Sequence, residues 1–342
     1  MANAKRVIWL DSLKGVLILL VVLGHSIQAS MIKLGLNCLD DYLWNLIYSF
    51  HMPAFIAVSG FLAYRIKVAG GDRFEWLRFT WRRFRQLMIP FLLWSIALFF
   101  VNHNVEHLYY YIIYPQKSLW FLWALFFIAV IFVGADQIAN KLKIRQEIEL
   151  IFCWLILVVV MFVMPDAKLF GVEYVAYYFF YYVLGYYLHK YSEYLIIRNW
   201  VLIVVIGMLW FALGSIYSTQ GLPNQLMFIS FIPSSILYYV YRILTACLAI
   251  FFLFSIGVKK MNEEKGLVQY AVALGKVSLG IYAVHMVVRF RLVDVIVFMI
   301  PGISYWPLMI TVFVILVPLS YAIVWLLGKW KPTSILLLGK LQ

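Results

Sequence analysis

The chain has 342 residues, of which 65% are hydrophobic and 13% charged. Soluble domains average about 45–50% apolar and about 25% charged residues, and their surfaces need charge to stay dispersed. This composition excludes water-soluble enzymes, extracellular modules and disordered regulators, and it predicts an all-α polytopic membrane protein.

A helix needs roughly 20 apolar residues to cross the hydrocarbon core. Ten such stretches follow in chain order: 7–30, 45–64, 86–102, 119–135, 148–164, 173–189, 199–217, 236–257, 268–290 and 303–328. Polar, Pro or Gly breaks separate them, such as GGDR at 70–73, NKLKIRQE at 140–147 and KKMNEEKG at 259–266. Long apolar runs favour helices over an outer-membrane barrel, whose strands alternate apolar and polar residues. No connection is long enough to fold alone, so residues 1–342 read as one integral-membrane domain without an internal repeat.

Charge sets the orientation, because Lys and Arg collect in cytoplasmic loops. Of 28 basic residues, 20 fall at the N-terminus, the C-terminus and every second connection, among them Arg65 to Arg85 and Lys259 to Lys265. The alternate side holds five: Lys33, Lys117, Lys168, Arg289 and Arg291. Both termini are therefore expected in the cytoplasm. The net charge of +13 follows from this bias and implies no nucleic-acid partner. The first stretch is too long for the apolar core of a cleaved signal peptide. Cys153 and Cys247 lie in spans and Cys38 in an outer loop, so no disulfide framework is implied, and no Cys/His spacing resembles a zinc site.

Ionisable groups within spans are costly and are functional candidates by default. Asp11 and Lys14 stand three apart near the cytoplasmic end of span one. They read as a snorkelling ion pair, or Lys14 faces an anionic substrate. His25 lies about four residues from the outer end of that span, roughly 6–8 Å below the surface at 1.5 Å per residue. An imidazole accepts a proton near neutral pH; a packing histidine bonded to a backbone carbonyl is the structural alternative. His51, at the outer start of span two, reads first as a ring bonded to the carbonyl freed near Pro53. Ser59 and Gly60 allow close helix approach. Arg82, Arg83 and Arg85 open span three; they are a positive-inside cluster or a phosphate clamp. Trp120 and Trp123 open span four as interfacial anchors or as a platform for a sugar face. The Tyr-rich sixth span is ambiguous in the same way. Tyr282 and His285 lie toward the outer end of span nine, so three histidines from three helices share one depth. His103 and His107 sit in an outer loop, and His189 at a cytoplasmic helix end.

These residues, taken in order, resemble a known family. WLDSLKG and LGH of span one look like the first helix of the membrane acyltransferase family 3. FHMPAFIAVSGF resembles its His-Met-Pro-x-Phe…Ser-Gly segment, most like the fucose 4-O-acetylase-related branch. RRFRQLMIPFLLW is similar to the basic entry to its third helix, and SLGIYAVH to its late Ser-Leu-x-Ile-Tyr-x-x-His segment. The resemblance covers about residues 6–290. It implies transfer of an acyl group, usually acetyl, from cytoplasmic acyl-CoA to a carbohydrate or glycolipid hydroxyl, often at the outer face of a bacterial inner membrane, with no metal. It maps the family histidine onto His25 and the basic helix-three residues onto Arg82, Arg83 and Arg85. Lys14 stands where an arginine is usual and Gln86 where a basic residue is common.

The expected mechanism has CoA phosphates on the arginines and Lys14, with His25 meeting the thioester. His25 acts as general base on the sugar hydroxyl or carries the acyl group briefly. His51, Ser59, Tyr282 and His285 orient His25 or stabilise the oxyanion, and Asp11 supports Lys14. Two readings compete: a transporter or flippase for an anionic or glycolipid substrate, and a structural membrane partner. Transporters show repeated halves and broken helices near the midplane.

Overall fold

The computed structural model describes residues 7–70, 76–102, 106–227 and 233–340. Its helices are α1 (Ile8–Lys33), α2 (Tyr42–Tyr48), α3 (His51–Gly70), α4 (Trp76–Arg83), α5 (Ile89–Asn102), α6 (Tyr110–Ile113), α7 (Trp120–Leu142) and α8 (Gln146–Val163). They continue as α9 (Val172–Lys190), α10 (Ser192–Leu195), α11 (Trp200–Ser215), α12 (Ser234–Lys260), α13 (Leu267–Lys276), α14 (Ser278–Met299), α15 (Tyr305–Lys329) and α16 (Lys331–Leu336). No strand occurs among the described residues. The molecule is an all-α integral membrane protein.

Helix occupies each of the ten predicted stretches. Seven of these are long and apolar enough to cross a membrane, and the pair α13–α14 makes eight if counted as one span. The sixth and seventh stretches differ for physical reasons. The sixth, α9, spends its length on tyrosines, which dilute its hydropathy. The seventh, α11, has only 16 residues. The ninth stretch is not one helix: α13 and α14 meet at a 76° bend at Val277. α1 also runs further than expected, to Lys33, which puts His25 eight residues before its end, about 12 Å along the axis.

Internal packing divides the chain into two compact units, interleaved in sequence. The first holds residues up to Val58 and Tyr191–Tyr321; the second holds Ser59–Lys190 and Ala322 onward. In the first, α1 packs on α2, α12, α13 and α14. The α1–α13 crossing is backbone on backbone. A Cβ at Gly15 would stand 1.8 Å from the Ala271 carbonyl oxygen, and one at Gly275 equally close to that of Asp11. Small residues are what let membrane helices approach this closely. Asp41 caps α2, its carboxylate accepting from the Trp44 amide at 2.8 Å, and Asn199 caps α11 in the same manner.

In the second unit α7, α8 and α9 pack on one another. Asp136, buried on α7, accepts from Lys67 Nζ at 2.6 and 2.7 Å and also from Gln146. Between α4 and α5 the backbone forms a π-helical turn, Phe84–Met88. Pro90 follows directly and has no N–H to return to the carbonyl of Gln86, so the regular ladder cannot continue there. The C-terminal segment closes over this turn. Trp94 Nε1 donates to the Leu337 carbonyl at 2.8 Å, and a Cβ at Gly339 would fall 2.2 Å from the Gln86 carbonyl oxygen.

Candidate active site

The first unit gathers the polar side chains of α1, α2, α3 and α14 into one cluster. The His25 and His285 rings lie 5.2 Å apart, and the Tyr282 ring is 5.8 Å from His285. Tyr48 bridges the other two histidines edge-on, 6.4 Å from His25 and 4.7 Å from His51. Trp44 stacks on Tyr48 at 3.8 Å. The predicted convergence of three histidines is therefore present, although these side chains are not a set that could hold a metal ion.

The histidines differ in how they are held. His51 Nδ1 donates to the Ile47 carbonyl at 2.7 Å, and His285 Nδ1 to the Ile281 carbonyl at 2.9 Å. Each is a ring bonded four residues back along the chain, which leaves the lone pair on Nε2. The His285 Nε2 is buried and has no hydrogen-bond partner among the described residues. His51 bonds a backbone carbonyl as expected, but it is that of Ile47 at the α2–α3 break rather than the one Pro53 frees, four residues back at Ser49. His25 does not: its Nδ1 contacts side chains only, Gln28 Oε1 at 3.1 Å and Arg289 Nη1. Gln28 Oε1 also accepts from Arg289 Nη1 at 3.4 Å. A guanidinium can only donate, so with Arg289 on Nδ1 the ring hydrogen sits on Nε2. With Gln28 accepting from Nδ1–H, the lone pair moves to Nε2. The Nε2 of half-buried His25 makes no hydrogen bond to the described residues.

Arg289 and Gln28 are the residues that sequence reasoning missed. Arg289 was assigned to the outer positive charges; it is instead inside α14 and buried. The signal was available as spacing: Gln28 is three residues after His25 and Arg289 four after His285, so each shares a helix face with its histidine. Tyr48 was absorbed into the apolar run of span two.

The other predicted residues lie elsewhere. Asp11 and Lys14 form the expected ion pair at 2.6 Å, eleven residues before His25 on the same helix, about 17 Å along its axis. Arg82, Arg83, Arg85, Ser59, Trp120 and Trp123 belong to the second unit. Arg83 lies over the Phe79 ring and donates to Gln86 Oε1 at 3.4 Å, which gives Gln86 a role at its unusual position. Arg85 lies over Trp81, and its Nε is buried without a hydrogen-bond partner among the described residues. Glu75, the acid nearest in sequence, and His103 lie outside the described residues. Next to Ser59, Gly60 makes the expected close approach, to the Tyr182 carbonyl. Trp123 is buried and donates from Nε1 to the Phe170 carbonyl at 2.8 Å, an anchoring contact. Trp120 stacks on Tyr174 and Tyr178 at 4.6 and 5.1 Å, which joins it to the tyrosines of α9. His107 is exposed, and His189 donates from Nδ1 to the Phe61 carbonyl at 2.7 Å.

A helical membrane protein with a polar cluster around a side-chain-held imidazole is the class that the fold and site define. The chain belongs to the membrane acyltransferase family 3: the family model described as "Acyltransferase domain" matches residues 7–329. Among curated proteins it is similar to the nodulation protein NolL of Sinorhizobium fredii (strain NBRC 101917 / NGR234), 36% identical over 127 residues, covering 35% of this chain and 34% of that one. It is also similar to the nodulation protein NolL of Mesorhizobium japonicum, 32% identical over 151 residues, covering 39% and 37%. The match thus spans little more than a third of each relative. No solved structure matches.

Proposed function

We propose that the protein is an O-acyltransferase that moves an acyl group, usually acetyl, from cytoplasmic acyl-CoA to a hydroxyl of a carbohydrate or glycolipid acceptor at the outer face of a bacterial inner membrane. The observation that carries this reading is His25. It is the histidine of the cluster whose ring is held by side chains and whose Nε2 is uncommitted, in a chain of the acyltransferase family. The family match runs through both compact units, which supports a single functional domain over residues 1–342; the bias of Lys and Arg toward alternate connections supports cytoplasmic termini.

In this mechanism Gln28 Oε1 accepts the Nδ1 hydrogen, and Nε2 of His25 takes the proton of the acceptor hydroxyl as its oxygen attacks the thioester carbonyl. The carbon–sulfur bond breaks, and the imidazolium returns its proton to the CoA thiolate. His51, Ser59, Tyr282 and His285 are assigned to orienting His25 or to the oxyanion, and Trp120 and Trp123 to the acceptor. Arg82, Arg83 and Arg85, with Lys14 held by Asp11, take the CoA phosphates. The missing acid partners of Arg83 and Arg85 among the described residues support that assignment.

The test is release of CoA thiol from acetyl-CoA by the purified protein in lipid, with a panel of glycans. Acceptor-dependent release is expected. Replacing Arg82 and Arg85 together by Ala should raise the KM for acetyl-CoA before kcat falls. A change in acceptor KM instead would reassign the cluster.

A transporter of an anionic or glycolipid substrate draws on one observation, the 76° break between α13 and α14, since broken helices line transport sites. CoA-dependent thermal stabilisation separates the two: the acyltransferase is stabilised by CoA, whereas the transporter is indifferent to it.

A further inference from the structure

Apart from the histidines, three ionisable Asp, Glu, Lys or Arg side chains are buried among the described residues: Asp11, Asp136 and Arg289. Asp11 has Lys14, and Asp136 has Lys67. Arg289 has no acid. The carboxylates of its own unit are accounted for elsewhere. Asp294 pairs with Lys33, Asp41 with Trp44 and Tyr305, Asp40 with Asn37 and Gln220, Glu263 with Lys265 and Glu264 with Lys276, while Glu193 is exposed. An unpaired buried charge costs several kcal/mol by ordinary estimates, so within a membrane it marks a place where charge is delivered from outside.

The hydrogen-bond pattern says which kind of charge. Nη1 lies against His25 Nδ1 and Gln28 Oε1, both on neutral side chains, and when Nδ1 carries its hydrogen the Gln28 oxygen is the acceptor; the guanidinium lies over the Phe290 ring at 4.6 Å. Nε is buried, and no described residue hydrogen-bonds it or Nη2. Nε–H and Nη2–H point the same way and form the two-pronged side of the guanidinium fork. That edge matches the two oxygens of a carboxylate. A transient alkoxide would use one prong. It would also form beside Nε2 of His25, on the far side of the ring from Nδ1, where Arg289 sits.

We propose that the Nε/Nη2 edge of Arg289 binds a carboxylate carried by the substrate, making this a specificity site for acidic substrates. The inference rests on the acyltransferase reading for its place beside His25. Base catalysis creates an imidazolium next to the guanidinium, and a carboxylate on Arg289 offsets that like-charge contact. The carboxylate comes either from the acceptor, as in a uronic acid, or from the donor, as in a succinyl chain.

Two substrate pairs distinguish the sources: a glucuronate-containing oligosaccharide against its glucose counterpart with acetyl-CoA, and succinyl-CoA against acetyl-CoA with a fixed acceptor. In Arg289→Gln the kcat/KM ratio of the acidic to the neutral member of one pair should fall on the order of 100-fold, the size of a lost charged two-pronged contact. Arg289→Lys keeps charge without the fork and should lie between. The pair that responds names the source. Equal losses on both members of both pairs, or unchanged ratios, overturn the proposal. A binding arm is independent of turnover. Sodium glucuronate or sodium succinate, each against its neutral analogue, should raise the melting temperature of His25→Ala protein and lose that effect when Arg289→Gln is added. Carboxylate stabilisation alongside full activity of His25→Ala would sink the base and keep this site. No stabilisation with either anion would sink this site and leave the base untouched.

Discussion

Asp136 and Arg289 are both buried charges on apolar helices, and their surroundings are opposites. Asp136, in the second unit, is met by a lysine at two oxygens and by Gln146, so its charge is matched within the fold. Arg289, in the first, meets only neutral side chains and a ring face among the described residues. The first arrangement is architecture: removing a partner strands a charge. The second is an incomplete constellation, and incompleteness next to an imidazole is what a substrate site looks like before its substrate arrives.

That contrast breaks if Asp136 behaves as a site. Lys67→Met leaves a carboxylate that is 4% exposed without its cation. It should lower stability by about 3–5 kcal/mol, read as a large drop in melting temperature. The surviving folded protein should keep its turnover number; a selective loss of kcat at unchanged stability would move Asp136 into the chemistry. Gln28→Leu sharpens the other side. Without Oε1 to take the Nδ1 hydrogen, kcat should fall by roughly tenfold to a hundredfold with melting temperature nearly constant, and parental kcat would show that Gln28 only packs. Gly275→Ala tests whether the crossing of α1 and α13 carries the cluster's frame. Its Cβ meets a backbone carbonyl that cannot swing aside, so the cost should be about 1–3 kcal/mol, and an unchanged melting temperature would mean that the crossing is looser. The smallest effect concerns Cys38. Burial first, and the nearby Asp41 and Asp40, push its thiol above the usual range, so less thiolate is present at neutral pH. Maleimide should label it slowly at pH 7 and faster as pH rises, with ordinary rates once the protein is unfolded in detergent. Native labelling as fast as a free thiol contradicts that placement.

Much of the fold was legible because a bilayer asks for long apolar runs, and all ten stretches are helical. What escaped was local. Val277 carries no Pro or Gly signal, and the α13–α14 bend there accompanies a tertiary contact, the seating of Gly15 and Gly275, that no single-helix pattern displays. The end of α1 was misjudged because Gln28 and Ser30 look like an outer boundary. Within the helix, Gln28 serves the cluster and Ser30 is buried. The site was half legible. Histidines inside spans announce themselves by their cost, whereas Arg289 was hidden by the positive-inside count, which treats every arginine near a helix end as a loop charge. His25 and the carbonyl-bonded His51 and His285 looked alike in sequence, since the difference lies in which atoms hold Nδ1.

The central claim is that His25 is the group at which acyl transfer occurs. The most direct measurement is single-turnover transfer from radiolabelled acetyl-CoA in purified wild-type and His25→Ala protein, with CoA-dependent thermal stabilisation recorded on the same samples. A loss of at least about a hundredfold in the transfer rate, with CoA stabilisation and folded yield retained, is the predicted result. Transfer at the wild-type rate by His25→Ala would contradict the account.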